Sequence, residues 1–151
     1  LATAVSHLRA AMKVDPGRED LVVEHARLNA SIAMTMADSY EAKAIYEQGQ
    51  GKWTSAALSW SRVFEGRPDD ANAARNAASA FIEAKGDLHK ATDLATKATA
   101  LEPESIENLR ILARVYIAAG LELNARRVLQ KAAKLDPEDE MVENLLRELG
   151  R

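Results

Sequence analysis

The 151-residue chain has no cysteine. Disulfides and thiolate metal sites are therefore excluded. That absence fits a cytoplasmic protein and leaves a periplasmic one open. Aromatic residues make up only 5% of the chain, and it holds seven glycines and four prolines. No apolar run approaches the roughly 18 residues needed to span a bilayer, so no membrane partner is expected. Charge of one sign is also lacking. A net charge of −3 gives no general attraction to phosphate backbones or anionic lipid. What is abundant is alanine, within an apolar fraction of 47%. Such a composition, with few helix breakers, points to an all-α chain whose helices approach closely. The chain begins at Leu1, without Met and already in a helical pattern, and reads as a fragment of a longer protein.

The few prolines are placed regularly. They fall at 16, 68, 103 and 137, spaced by 52, 35 and 34 residues. Five residues before them stand Ala11, Val63, Ala98 and Ala132, and seven earlier still Ala4, Ala56, Ala91 and Ala125. Gly51, Gly86 and Gly120 each precede the last three of these alanines by five. Small residues let two helices cross closely. Glycine ends the first helix in the left-handed region, and proline stops the second. Acidic residues after each proline, such as Asp69-Asp70 and Glu138-Asp139-Glu140, suit helix N-termini and need no metal or acid–base role.

This pattern resembles the tetratricopeptide-repeat (TPR) family, in which each repeat is a helix A, a turn and a helix B. The match is best in Leu109-x2-Leu112-Ala113-x2-Tyr116, Ala125-x3-Leu129 and Pro137. Weaker copies run through Arg75, Ala78, Ser79, Ile82, Ala91, Ala95 and Pro103, and through Tyr40, Lys43, Ala44, an unexpected Glu47, Ala56, Trp60 and Pro68. The resemblance implies an α-α superhelix, a TPR-like solenoid of about eight helices in one domain, 1–151. Residues 1–15 read as helix B of a partial repeat, followed by repeats 18–68, 69–103 and 104–137 and a capping helix 138–149. Helix A is expected at 71–85 and 105–119, and helix B at 53–66, 88–101 and 122–135.

The interval from Pro16 to Pro68 exceeds a repeat by 18 residues, five α-helical turns, and residues 18–48 hold no Gly or Pro. One extended helix A of about 46 Å is expected, its packing stripe Val22, Ala26, Asn29, Ala33, Met36, Tyr40 and Ala44. The competing reading breaks it near Asp38, where Asp38-x-x-Glu41 spells a capping box.

No catalytic, cofactor or metal site is expected. His7, His25 and His89 share no metal-ligand spacing, and no phosphate loop, nucleophile elbow or HExxH helix is present. Trp53 and Trp60 read as a packing stripe. The basic helix carrying Arg126, Arg127, Lys131 and Lys134 reads as a solvated face, and no nucleic-acid partner is expected. The resemblance implies instead that a protein or peptide lies in a concave groove lined by the A helices. Its matching positions are Glu41, Ile45 and Gln48; Asn76, Ala80, Glu83 and Ala84; and Glu107, Arg110, Arg114 and Ile117. Arg110 and Arg114, one turn apart, either grip a carboxylate or pair with Glu107 and Glu83. The chaperone-tail clamp of some TPR domains is not built, because Glu41, Ile45, Ala77, Glu107 and Ile111 occupy its positions.

A looser resemblance links GKWTSAALSWSRVFEGRPDDANAARNAASAF, GDLHKATDLATKA and AGLELNARRVL to bacterial proteins that join a J-domain to TPR repeats. It implies the client- or scaffold-binding half of a co-chaperone. A further alternative is self-assembly, as a homodimer through residues 1–15 or the long helix 18–48.

Overall fold

The structure, a computed structural model, describes residues 2–150. Leu1, the first residue of the expected partial repeat 1–15, lies outside the described residues, as does Arg151. Eight helices occur among the described residues and no strand: α1 Ala2–Val14, α2 Glu19–Gly49, α3 Trp53–Gly66, α4 Ala71–Glu83, α5 Leu88–Leu101, α6 Ile106–Ala118, α7 Glu122–Leu135 and α8 Glu140–Leu149. Each helix packs against the next in sequence, and α4 also meets α6. This is the neighbour pattern of a solenoid built from helical hairpins.

Local chemistry explains the boundaries. Asp70, Ser105 and Asp139 cap α4, α6 and α8 by accepting from Ala73 N, Asn108 N and Val142 N at 3.0, 3.3 and 2.8 Å. Asp87 caps α5 in the same way, and its carboxyl is held below the usual range chiefly by the Lys90 N–H it accepts. Gly51 and Gly120 take φ of +67° and +72° after α2 and α6. After α4 the left-handed residue is Lys85, at φ 50°, and not the expected Gly86.

The core is made of alanine. Ala56, Ala73, Ala77, Ala78, Ala91 and Ala95 are buried with Trp60, Val63 and Phe81, and a second cluster joins Leu109, Ala113, Leu129, Ala132 and Val142. Small side chains at the crossings bring helix axes close enough for methyl groups to fill the space. The end of the second cluster is covered by α8 through Val142, Leu145, Leu146 and Leu149, and Arg126 donates to Leu149 O at 2.8 Å.

The long helix α2 is continuous over 31 residues, without a break at Asp38. Asp38 and Glu41 do not form a capping box. Both carboxylates accept from Arg67, which follows α3. Its buried line departs from the expected stripe. Ala33, Ala37, Ala44 and Glu47 are buried, whereas Val22 and Met36 are 45% and 41% exposed and Ala26 is also open. The physical reason is a change of neighbour along the helix. α3 packs on α2 from its middle, where Gly66 meets the backbone of Ala33, to its C-terminal end, where Ser59 and Trp60 bond Glu47 and Gln48. α1 packs on α2 as well, burying Val5 and half-burying Leu8. Part of the segment 1–15 offered for self-assembly is thus used within the chain.

Candidate functional site

The face shared by α2, α4 and α6 holds two cavities. The first, about 570 Å³, lies between α2, α3 and α4 and is lined by Ile45, Gln48, Gly49, Trp53, Trp60 and Asn76. Trp60 is buried because the small residues of α3 bring it beneath α2, and its Nε1 donates to Gln48 Oε1 at 3.0 Å. A buried indole keeps its N–H paired, so the ring is both wall and anchor. Ile45 at the mouth is 58% exposed.

The second cavity, about 210 Å³, is lined by Arg75, Glu107, Arg110, Ile111, Arg114, Met141 and Leu145. Three guanidinium groups converge there, each with a partner. Arg114 Nη2 meets Glu83 Oε1 at 2.6 Å. Arg110 lies 3.4 Å from Asp139 and 3.9 Å from Glu107, and its Nη1 approaches the Met141 sulfur at 3.0 Å. Arg75 Nη1 donates to the buried Asn108 Oδ1 at 3.4 Å. Asn108 in turn donates to Ala98 O and Glu102 Oε2 at 3.1 and 3.2 Å, tying α6 to the end of α5. The Glu107 carboxyl is held below its usual range by its own backbone N–H first, then by the Ser105 hydroxyl, Arg110 and Arg75. Arg114 thus pairs with Glu83 as the pairing reading expected, whereas Arg110 lies nearer Asp139 than the expected Glu107. A carboxylate entering the cavity would exchange one anionic partner for another.

Of the residues expected to line the groove, Ile45, Gln48 and Asn76 meet in the first cavity and Glu107, Arg110 and Arg114 in the second. Glu83 borders the second as the partner of Arg114. Glu41 is turned to Arg67. Ile117 is half-buried and lines neither cavity. Ala80 must be corrected: at 2% exposure it belongs to the core, because α4 is enclosed by α3, α5 and α6. Arg75, Met141 and Leu145 were not foreseen as walls. The apolar stripe of α8 was the available signal, read only as a cap.

A third cavity of about 470 Å³ opens beside α2 and α3 and is lined by Tyr40, Glu47, Ser59, Phe81 and Lys90 among others. Glu47, unexpected in the repeat pattern, is 8% exposed and accepts from the Ser59 hydroxyl at 2.7 Å. Lys43 Nζ stands 3.8 Å from its other oxygen. Among the described residues no group of three or more His, Asp or Glu side chains is placed to hold a metal ion, and no helix is long and apolar enough to cross a membrane.

No protein-family model and no curated protein sequence matches the chain. Solved structures do. The first TPR domain of human RPAP3 is 20% identical, with a TM-score of 0.69 over 78% of this chain and 91% of that one. The second TPR domain of the same human protein, solved with the HSP70 peptide SGPTIEEVD, is 16% identical, with a TM-score of 0.72 over 79% and 98%. The TPR2AB domain of yeast Sti1, in a complex with an HSP90 peptide, is 15% identical, with a TM-score of 0.76 over 97% and 62%. At these identities the likeness shows the fold.

Proposed function

From a tetratricopeptide-repeat superhelix as the fold of this chain, we propose a non-catalytic, cytoplasmic scaffold that binds a peptide or helix along α2, α4 and α6. The ligand carries an acidic group for Arg110 and Arg114 and an apolar side chain for the cavity under Ile45. The observation that carries this reading is the convergence of Arg75, Arg110 and Arg114 on one 210 Å³ cavity. Glu83 is 40% exposed, so an incoming carboxylate can take its place on Arg114 and leave Glu83 to water, with no unpaired acid buried by the exchange. Nucleic acid is not the partner proposed, since the groove mixes both signs of charge.

The context is chaperone-associated. HSP70 and HSP90 peptides are the ligands named for the RPAP3 and Sti1 domains. They support, as a second reading, the client- or scaffold-binding half of a bacterial J-domain co-chaperone. The groove here holds Glu41, Ile45, Ala77, Glu107 and Ile111 where a chaperone-tail clamp needs cationic and amide side chains, so a different acidic segment is proposed.

Both tryptophans of the chain line the first cavity, so their emission reports its occupation. The test titrates wild type and Arg110→Glu/Arg114→Glu with acidic and charge-neutralised synthetic peptides and follows tryptophan emission, with circular dichroism to confirm folding. Saturable binding of acidic peptides that the double reversal removes is expected. Equal binding by both proteins would overturn the reading.

A further inference from the structure

The N-terminal half of α2 carries an apolar face that neither α1 nor α3 covers. Val23 is 67% exposed and Met34 68% exposed, and Ile45, further along the same helix, is 58% exposed. With Arg27, Ala30, Asp38 and Glu41 these residues occupy steps of four, three, four, four, three and four along α2. Steps of three and four keep residues on one helical face. The stripe extends about 33 Å at 1.5 Å per residue.

Its order is self-complementary. Met34 stands at the centre. Moving outward by equal numbers of residues, Ala30 corresponds to Asp38, Arg27 to Glu41 and Val23 to Ile45. Two such helices lying antiparallel about a two-fold axis at Met34 would set Met34 against Met34 and each Val23 against an Ile45. Each Arg27 would then face a Glu41 of the other copy. An isologous interface demands that residue i meet j while j meets i, and this stripe has that property. Arg27 is available: its side chain is 79% exposed and its contact with Glu24 is long, at 3.6 Å. Glu41 keeps 37% exposure while Oε2 accepts from Arg67, which fixes its position. α1 binds another face of α2, marked by the half-buried Leu21, Leu28 and Ile32, and α3 lies along one edge of the stripe, where Ala37, Ala44 and Glu47 are buried.

We infer that this face is a homodimer interface, occupied by the same α2 stripe of a second copy in antiparallel register. The occupant is fixed by charge and apolar complementarity together. A foreign helix would need no palindromic order, whereas a second copy does. The inference stands apart from the peptide-binding reading. It adds one link to it: Ile45 serves both surfaces, so a dimer closes the mouth of the first cavity.

The decisive experiment uses two single charge reversals measured by sedimentation equilibrium. Arg27→Glu places Glu against Glu41 in its own homodimer, and Glu41→Arg places Arg against Arg27. Each variant alone is expected to weaken the dimer on the order of tenfold or more, because two-fold symmetry applies each reversal twice. An equimolar mixture of the two restores opposite charges at both contacts of the heterodimer, so wild-type association is expected to return. Met34→Lys, which sets like charges on the axis, is expected to abolish the dimer with unchanged circular dichroism. A wild-type protein that stays monomeric throughout the concentration range, or a mixture associating no better than its components, would overturn the inference. Capture of another protein by a stripe that never self-associates would do the same.

Discussion

Gly66 is where α3 touches the backbone of α2, and a single added methyl group there tests the packing account. A Cβ at this position would stand 2.3 Å from Ala33 O, 2.6 Å from Ala33 C and 2.9 Å from Met34 N. Ordinary contact begins at 3.4 Å, so the two backbones would have to part by about 1 Å, and backbone cannot yield as a side-chain tip does. Overpacking of this kind costs about 1–3 kcal/mol. Helix propensity returns less than about 1 kcal/mol at a helix's last residue. Gly66→Ala should therefore lose about 1–2 kcal/mol, lowering the melting temperature by about 2–4 °C per kcal/mol in a chain of this size. Arg67 follows directly, so its bonds to Asp38 and Glu41 should loosen in the same variant. Gly49→Ala is the paired control, because nothing lies within 4 Å of its added Cβ. It should gain about 0.4–1 kcal/mol. Urea denaturation followed by circular dichroism reads both. A Gly66→Ala protein as stable as wild type, or two variants moving in the same direction, would refute the close approach.

Three further outcomes are expected. Lys85→Gly relieves a left-handed lysine at φ 50° and should raise stability by about 0.5–1 kcal/mol in the same urea assay, whereas Gly86→Ala should not. Ser59→Ala leaves the buried Glu47 carboxylate without its hydroxyl donor and should cost about 1–3 kcal/mol, while Ser59→Ala/Glu47→Met should recover most of it in thermal melts. The Glu107 carboxyl titrates lower folded than unfolded, so the stability it contributes is fully present above its unfolded pKa, near 4.3, and is lost as pH falls through the lower folded value. Melting temperatures of wild type should fall through that acidic window, and Glu107→Gln should show a shallower fall.

The B helices α3, α5 and α7 were legible in the sequence to the residue, because small crossing residues, a preceding turn and a following proline mark each one. Signals of that kind are local. What the pattern missed depends on partners distant in sequence. Val22, Ala26 and Met36 share helical spacing with Ala33 and Ala44, yet they are exposed because α2 exchanges one covering helix for another along its length. Asp38-x-x-Glu41 spells a helix start, but Arg67, 26 and 29 residues away, uses both carboxylates. Gly86 matches the glycine position of the other repeats, while the chain makes its turn one residue earlier at Lys85. In the groove, Arg110 and Arg114 were named through the resemblance to the repeat family, and their partners Asp139 and Glu83 come from contacts across helices that no local pattern shows. Arg75 was overlooked as a wall because it occupies a position that the repeat pattern assigns to the core.

An uninterrupted α2 behaves mechanically as a lever. Its fulcrum is the Gly66–Ala33 contact, and Arg67 acts as a brace on Asp38 and Glu41. From Ala33 to Glu19 the arm is about 21 Å long, so a tilt of only 10° or so at the fulcrum carries its tip about 4 Å. Any ligand that wedges Ile45 or draws Glu41 from Arg67 works on the opposite arm, about 12–18 Å from the fulcrum. Its displacement would be read at the far tip, with α1 carried along as cargo.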